Sequence, residues 1–364
     1  MISFGPSEEQ EMIRDSMKEF AEQAMRTIAR DCDEESSIPQ DFLDTVWELG
    51  LTSTQIPEEY GGAGEARSAV TNAILLEELG YGDAALAMAA VAPSAFANAI
   101  VDHGTEEQKK KYLPLFCGAD FHAASLAAVE SGAVFDVLKP RTEAEPKGEG
   151  FVVSGTKSFV PLGDRASHFL VVARNGDGLD AFIVPREAGG VSISEPELNV
   201  GLRGLTTVSL ELERVEVPAE DRLGGAAGCD VRNLLANSRA ALSAIMVGLS
   251  RGVLEYCIPY AKDRVAFGEP IAQKQSIAFR MAEMHIETEA TRWLTWKAAS
   301  FSEQGLDAVR AAHHARSYAA EKCLWIADNG IQILGGHGVI REHPVEMWFR
   351  NARTVSVLEG MIGV

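Results

Sequence analysis

Apolar positions recur at helical spacing through the first hundred residues. The opening segment pairs Ser7 with Gln10 in a capping-box pattern and then sets Ile13, Met17, Phe20, Ala24 and Ile28 on one face, which predicts an amphipathic helix. Pro39 stands where a first-turn proline opens a second helix through Phe42, Val46 and Leu49, and the Gly-rich run at 58–64 ends that pattern. Two more apolar helices are expected over roughly 66–79 and 84–102. The segment from Thr105 has an acidic start and a basic end, as the helix dipole favours. From about Phe121 the texture changes to short β-branched or alternating runs (151–160, 168–175, 179–185, 191–194 and 207–218) divided by Gly, Asp and Pro. After Leu223 and Gly224 the pattern is helical again, over roughly 230–262, 271–301, 306–334 and 344–357, lengths and connections that suit an antiparallel four-helix bundle. The blocks therefore run α, β, α, an α+β chain with expected domains at 1–120, 121–223 and 224–364.

Composition narrows the function classes. A chain of 364 residues with 46% hydrophobic content can build two or three cores. Its formal net charge of −20 is spread over both halves and leaves no basic stripe for a phosphate backbone, so a nucleic-acid partner is not expected. An anionic ligand would need a few local Arg or Lys residues and helix N-termini. The five cysteines, Cys32, Cys117, Cys229, Cys257 and Cys323, are scattered and never in a C-x-x-C pair, which fits a reducing, cytoplasmic location without a disulfide framework. The first twenty residues lack the charged and apolar regions of a signal peptide. The most apolar window, 84–100, contains Pro93, is short for a membrane span, and reads as a buried helix pair. No H-x-x-x-H pair suggests a metal, and no G-x-S-x-G elbow suggests a hydrolase.

Several segments carry more specific information. Arg264-Val265-Ala266-Phe267-Gly268 with Gln275, then Gln332-Ile333-Leu334-Gly335-Gly336-His337-Gly338, then Pro344-Val345-Glu346, Arg350 and Leu358-Glu359-Gly360 occur in this order, preceded by Pro57-Glu58-Glu59-Tyr60-Gly61-Gly62, Leu76-Glu77-Glu78-Leu79-Gly80 and Gly201-Leu202-Arg203-Gly204-Leu205. Together they resemble the acyl-CoA dehydrogenases over nearly the whole chain. That resemblance implies an N-terminal all-α domain, a central antiparallel β-barrel or sandwich, a C-terminal four-helix bundle, and FAD as cofactor. It implies an acyl-CoA substrate, an electron-transfer flavoprotein as electron acceptor, and a homotetramer or a heterotetramer with a related subunit. By the same resemblance Glu359 is the base that takes the α proton. Arg264, Phe267, Gln275, Gln332, Gly335 and Gly336 touch the FAD of a neighbouring subunit, and Arg239, Phe135 and Gly360 lie beside the substrate.

The residue types suit those roles, and each has a plainer explanation. Glu359 sits among Val355, Val357, Leu358, Met361 and Ile362, where desolvation would raise its proton affinity. A solvated glutamate ahead of a Gly helix cap is the alternative. Arg264 offers a permanent charge and a planar fork for a pyrophosphate, or an exposed ion pair with Asp263 or Glu269. The 335–338 glycines permit close backbone approach or end a helix. Arg239 fits the CoA moiety or a bundle salt bridge.

The sequence also departs from the family at the flavin ring. Where the family carries T-E-P-x-A-G-S-D, this chain reads Val129-Glu130-Ser131-Gly132-Ala133-Val134-Phe135-Asp136, so Val129 and Phe135 replace a Thr and a Ser hydroxyl. Where the family has K-x-W-I-T-N, it reads Lys157-Ser158-Phe159-Val160-Pro161-Leu162. Phe159 can stack, but Pro161 has neither hydroxyl nor backbone N–H. Two functions remain open: an FAD-dependent acyl-CoA dehydrogenase with its own site, and a flavin-poor partner subunit of a heterotetramer.

Overall fold

The computed structural model describes residues 5–364; residues 1–4, part of the stretch read for a leader, lie outside the described residues. Ser7 and Gln10 form the expected capping box, and α1 runs Glu8–Phe20. A π-helical turn, Ala21–Met25, joins it without a break to α2, Arg26–Glu35. Pro39 precedes α3, Gln40–Glu48. Next come α4, Ala69–Gly82, α5, Ala84–His103, and α6, Glu106–Tyr112, which has its own capping box of Thr105 and Gln108. The 84–100 window is thus one helix rather than a helix pair. Pro93 sits inside it, and almost every side chain is buried against neighbouring elements.

Seven strands follow in the middle of the chain: β1 Ala124–Ala127, β2 Glu143–Lys147, β3 Gly150–Pro161, β4 His168–Asn175, β5 Gly178–Pro185, β6 Val191–Ile193 and β7 Thr207–Val217. The sheet order is β1-β4-β2-β3-β7-β6, with β5 on β4. The expected antiparallel domain is in fact mixed, because β1 and β2 each run parallel to β4. The physical reason is burial: all four β1 residues are buried, with α5 packed on the strand, the two-sided covering that parallel strands need.

The last third contains α7 Val231–Asp263, a two-residue hairpin of β8 Val265–Ala266 and β9 Glu269–Pro270, α8 Gln275–Glu303, α9 Val309–Leu334 and α10 Val345–Val355. Three long helices pack on one another, while α10 is short. The expected four-helix bundle is completed on α7 by α4 from the N-terminal region. Two glycines make that crossing possible: a Cβ on Gly248 would lie 1.9 Å from the Glu77 carbonyl, and one on Gly80 would lie 2.4 Å from that of Ile245. A single apolar core therefore joins the N-terminal helices to the bundle, and a second joins α5, α7 and the β1–β4–β5 face. The loop of interest, 356–364, runs between these two cores.

Candidate active site

Glu359 follows the end of α10 and lies at the junction of bundle and sheet. Its carboxylate accepts from Arg239 Nε at 2.9 Å, and its side chain is 21% exposed. The apolar surroundings expected from sequence are present, since Val355, Leu358, Met361 and Ile362 are buried, although Val357 is exposed. The expectation of a purely apolar setting needs amending, however, because a guanidinium meets the carboxylate. Arg239, 8% exposed on α7, is thus a salt-bridging residue as the plainer explanation required, but its partner is the expected base itself.

Gly360 fixes the loop against the sheet. Its φ is +59°, and a Cβ there would lie 2.5 Å from the Ala128 Cβ and 3.2 Å from Leu235. Ala128 immediately precedes Val129, so this contact brings the loop after α10 onto the end of β1. Val129 is buried, and its carbonyl accepts from Ser158 N at 2.9 Å. Ser125 Oγ donates to the Pro161 carbonyl at 2.5 Å, tying the end of β3 to β1. Phe135 packs half-buried on the α5–α7 core face, and Phe159 is likewise half-buried. Glu359, Gly360, Arg239, Val129, Phe159 and Pro161 therefore form one connected patch.

A buried ion pair missed at the sequence level holds that patch together. Lys157 is fully buried, and its Nζ donates to Glu130 Oε1 at 2.9 Å and to the Ala128 carbonyl at 3.3 Å. Glu130 also accepts from Arg141 N at 2.8 Å, Thr142 N at 2.8 Å and Thr142 Oγ1 at 2.6 Å. Burial pushes the Glu130 carboxyl up, but the ammonium and the Thr142 donors outweigh it and bring it down to about 2. For Lys157 desolvation wins over its partner, and the ammonium falls to about 8. The Lys and Glu in the two ring-facing motifs were visible, but nothing in their spacing shows that they meet.

The remaining expected site residues lie elsewhere. Arg264 caps the end of α7, Gln275 opens α8, and Gln332, Gly335 and Gly336 end α9, all exposed at one end of the bundle. Tyr260 ties the α7 and α9 ends together, donating to the Leu334 carbonyl at 3.4 Å and sharing a 2.9 Å hydrogen bond with His337 Nδ1. Phe267 and Gly268 turn the β8–β9 hairpin with φ of +55° and +86°, leaving the Phe267 ring 96% exposed. Arg264 makes no ion pair among the described residues, and Glu269 is bound instead by Lys274 at 2.5 Å. Arg264 is 25 residues beyond Arg239 along α7, about 37 Å at 1.5 Å per residue. The Arg264 group and the Glu359 patch therefore lie at opposite ends of α7.

Comparison with known proteins identifies the family. Residues 7–120, 125–215 and 230–364 match the N-terminal, middle and C-terminal domains of acyl-CoA dehydrogenase. The chain belongs to the acyl-CoA dehydrogenase family. Among its relatives is the short/branched chain specific acyl-CoA dehydrogenase of Bos taurus, 31% identical over 363 residues, covering 97% of this chain and 83% of the relative. Another is the caffeyl-CoA reductase–Etf complex subunit CarC of Acetobacterium woodii, 32% identical over 364 residues, covering 97% and 95%. The butyryl-CoA dehydrogenase of Megasphaera elsdenii superimposes with a TM-score of 0.89 at 27% identity, covering 99% of this chain and 96% of that one. This acyl-CoA dehydrogenase family chain is an FAD-dependent oxidoreductase acting on CH–CH donors.

The residues fit FAD unequally. At the bundle end, a Cβ on Gly335 or Gly336 would meet nothing within 4 Å, and Arg264, Gln275 and Gln332 are open, a surface suited to the pyrophosphate and adenosine. At the ring end the backbone donors of β3 are committed. Ser158 N goes to Val129 O, Phe159 N to the Glu197 carboxylate at 3.1 and 3.2 Å, and Leu162 N to Thr206 O at 2.8 Å, while Pro161 has none. This side offers apolar packing from Val129 and Phe159 rather than hydrogen bonds.

Proposed function

We propose that the chain dehydrogenates an acyl-CoA thioester between its α and β carbons, with Glu359 taking the α proton. The observation that carries this reading is the Gly360–Ala128 contact. It sets a carboxylate from the bundle beside the end of β1, where the ring-facing Val129 follows. Bound FAD supplies the hydride acceptor. Arg239 orients Glu359 through the 2.9 Å contact, and an incoming thioester must share or displace that pair before the carboxylate can reach an α C–H. The apolar residues around the loop exclude water, which strengthens the base once substrate replaces solvent.

A cleft of about 470 Å³ at the start of α7 suits the CoA nucleotide. It is lined by Lys139, Arg174 and Arg232 beside Asp177 and Asp230. Lys139 and Arg232 have no carboxylate partner among the described residues, so local cations can hold phosphates on this acidic chain. Arg232 and Arg239 are seven residues apart on α7, about 10 Å, a separation that the pantetheine arm of CoA can bridge. Electrons then leave to an electron-transfer flavoprotein, as the CarC relative is a subunit of a caffeyl-CoA reductase–Etf complex. The separation of the two FAD-facing groups calls for an oligomer in which each cofactor is shared, a homotetramer or a heterotetramer with a related subunit, and the free cysteines suit the cytoplasm.

Anaerobic addition of a panel of straight and branched acyl-CoAs should bleach the flavin absorbance of the purified protein. Glu359→Gln should retain the flavin and lose the bleaching. Bleaching that survives in Glu359→Gln removes that carboxylate from the reaction. A colourless chain that gains flavin only with a related subunit moves the assignment to the partner-subunit role, a role favoured by the missing donors at Pro161 and Val129.

A further inference from the structure

A second buried guanidinium stands behind the loop that carries Glu359. Arg316, on α9, is 5% exposed. Its Nη2 donates to the Val355 carbonyl at 3.0 Å and to the Leu358 carbonyl at 2.5 Å. Val355 ends α10, and Leu358 is the residue before Glu359, so one nitrogen clasps both ends of the short link between helix and base. The Val355 carbonyl also accepts from Leu358 N at 3.3 Å, so the guanidinium adds a second donor to the last turn and ties it to the loop beyond. Nε of the same guanidinium is buried with no partner among the described residues. No carboxylate is hydrogen-bonded to Arg316.

The charges facing this point are few. Arg239 comes from α7, Arg316 from α9 and Glu359 from the loop. The Cys323 thiol, two turns along α9, is pushed up to about 12 by burial and stays neutral. Burial holds the Arg316 guanidinium below its ordinary value; Glu359 opposes that shift and Arg239 adds to it. Two buried cations therefore share one carboxylate. A buried charge without a counter-charge is expensive, so the energetics of Arg316 depend on Glu359 remaining ionised and in place.

We propose that Arg316 is the positioning residue of the base: it pins the backbone before Glu359 through two carbonyls and relies on the Glu359 carboxylate to balance its charge. This rests on Glu359 being the base. The pin and the field are separable, because lysine keeps the charge but its ammonium ends one bond short of the place where Nη2 meets both carbonyls. Glutamine keeps some hydrogen bonding and loses the charge.

The test uses the full-length, FAD-loaded protein with butyryl-CoA and octanoyl-CoA as probes, in single-turnover bleaching from pH 5.5 to 9. Relative to the parent, Arg316→Gln should slow bleaching at least tenfold with flavin content unchanged, and Arg316→Lys should recover part of the rate. A merely structural role lowers flavin content and Tm in both variants in step with the rate, and that result overturns the proposal. If Arg316→Gln does not fold, Arg316→Lys decides alone: bleaching at the parental rate overturns the pin. A thermal double-mutant cycle of Arg316→Gln with Glu359→Gln needs no substrate. Glu359→Gln should lower Tm less in the Arg316→Gln background than in the parent, and strictly additive Tm changes overturn the proposal whether or not either thioester bleaches the flavin. Non-additive changes without bleaching support the coupling and count against the dehydrogenase reading instead.

Discussion

Replacing Lys157 by Met removes a cation that has no exposed surface and leaves Glu130 behind in the core. Truncating one partner of a buried pair typically costs 3–5 kcal/mol. Glu130 keeps three donors, Arg141 N, Thr142 N and Thr142 Oγ1, so the low end applies, about 3 kcal/mol at pH 7. For a chain of this size that is a fall in Tm of about 4 °C. The pH dependence distinguishes this cause from simple cavity formation. The folded Glu130 carboxyl lies near 2, below its unfolded value, so its stabilising contribution is complete above about pH 4.5 and is lost as pH falls through 2. Lys157 has the opposite sense: its ammonium lies near 8 when folded, so its burial penalty is fully present below pH 8 and is relieved as pH rises from there toward its unfolded value. Below pH 4.5 the unfolded chain takes up the Glu130 proton while the folded parent does not, so the parent's advantage over Lys157→Met should shrink progressively from pH 4.5 down to about 2. Adding Glu130→Gln should restore part of the loss at pH 7, because it removes the unpaired charge and the glutamine oxygen still accepts the two Thr142 donors. Urea unfolding at pH 7 and pH 3.5 checks all of this. A pH 7 loss below about 1 kcal/mol, or an equal loss at both pH values, would refute the reasoning.

Gly360→Ala places a methyl 2.5 Å from the Ala128 Cβ at a φ of +59°, so the loop must move. Bleaching by acyl-CoA should fall at least tenfold while flavin content, read from the absorbance of the purified protein, stays near the parent's. Phe267→Ala removes a ring that is 96% exposed and supports nothing in its own chain. Its Tm without flavin should change little, whereas flavin affinity, followed by equilibrium dialysis, should drop by about tenfold, roughly 1.4 kcal/mol.

Helix content was legible because long apolar periodicities leave few alternatives, and the capping residues Ser7 and Pro39 mark real starts. Strands β3 to β7 announced themselves through β-branched alternation. The other two strands did not. β1 is four small residues buried on both faces, so it has no alternation to show, and β2, Glu143–Lys147, is largely polar and carries Pro146. Their parallel pairing with β4 is a tertiary fact without a local signal. At the site, motif order indicated Glu359 and its neighbours, yet the partners that control it were hidden. Arg239 was visible as a candidate ligand contact, not as the base's counter-ion. Arg316 sits mid-helix in an unremarkable alanine-rich stretch, and only the return of the chain after α10 brings the Leu358 carbonyl to it.

Backbone strain follows the same division between what is held and what is left open. Six non-glycine residues among those described have positive φ, and Phe159, Leu162, Leu202 and Phe267 belong to the segments that carry the family resemblance. Each such conformation costs of order 1 kcal/mol and persists only where neighbours over-determine it. Three of the four have that support at their own N–H: Phe159 from the Glu197 carboxylate, Leu162 from the Thr206 carbonyl and Leu202 from Asn351 Oδ1 at 2.7 Å. Phe267 has only the two-residue hairpin, whose twist favours positive φ at both turn positions but gives the ring nothing to pack on except Lys274 at 6.0 Å. The strain near the base is thus locked within one chain, whereas the strain at Phe267 serves no contact that this chain makes by itself. On the proposed function that compensation is flavin bound against the ring, which is what dialysis of Phe267→Ala measures.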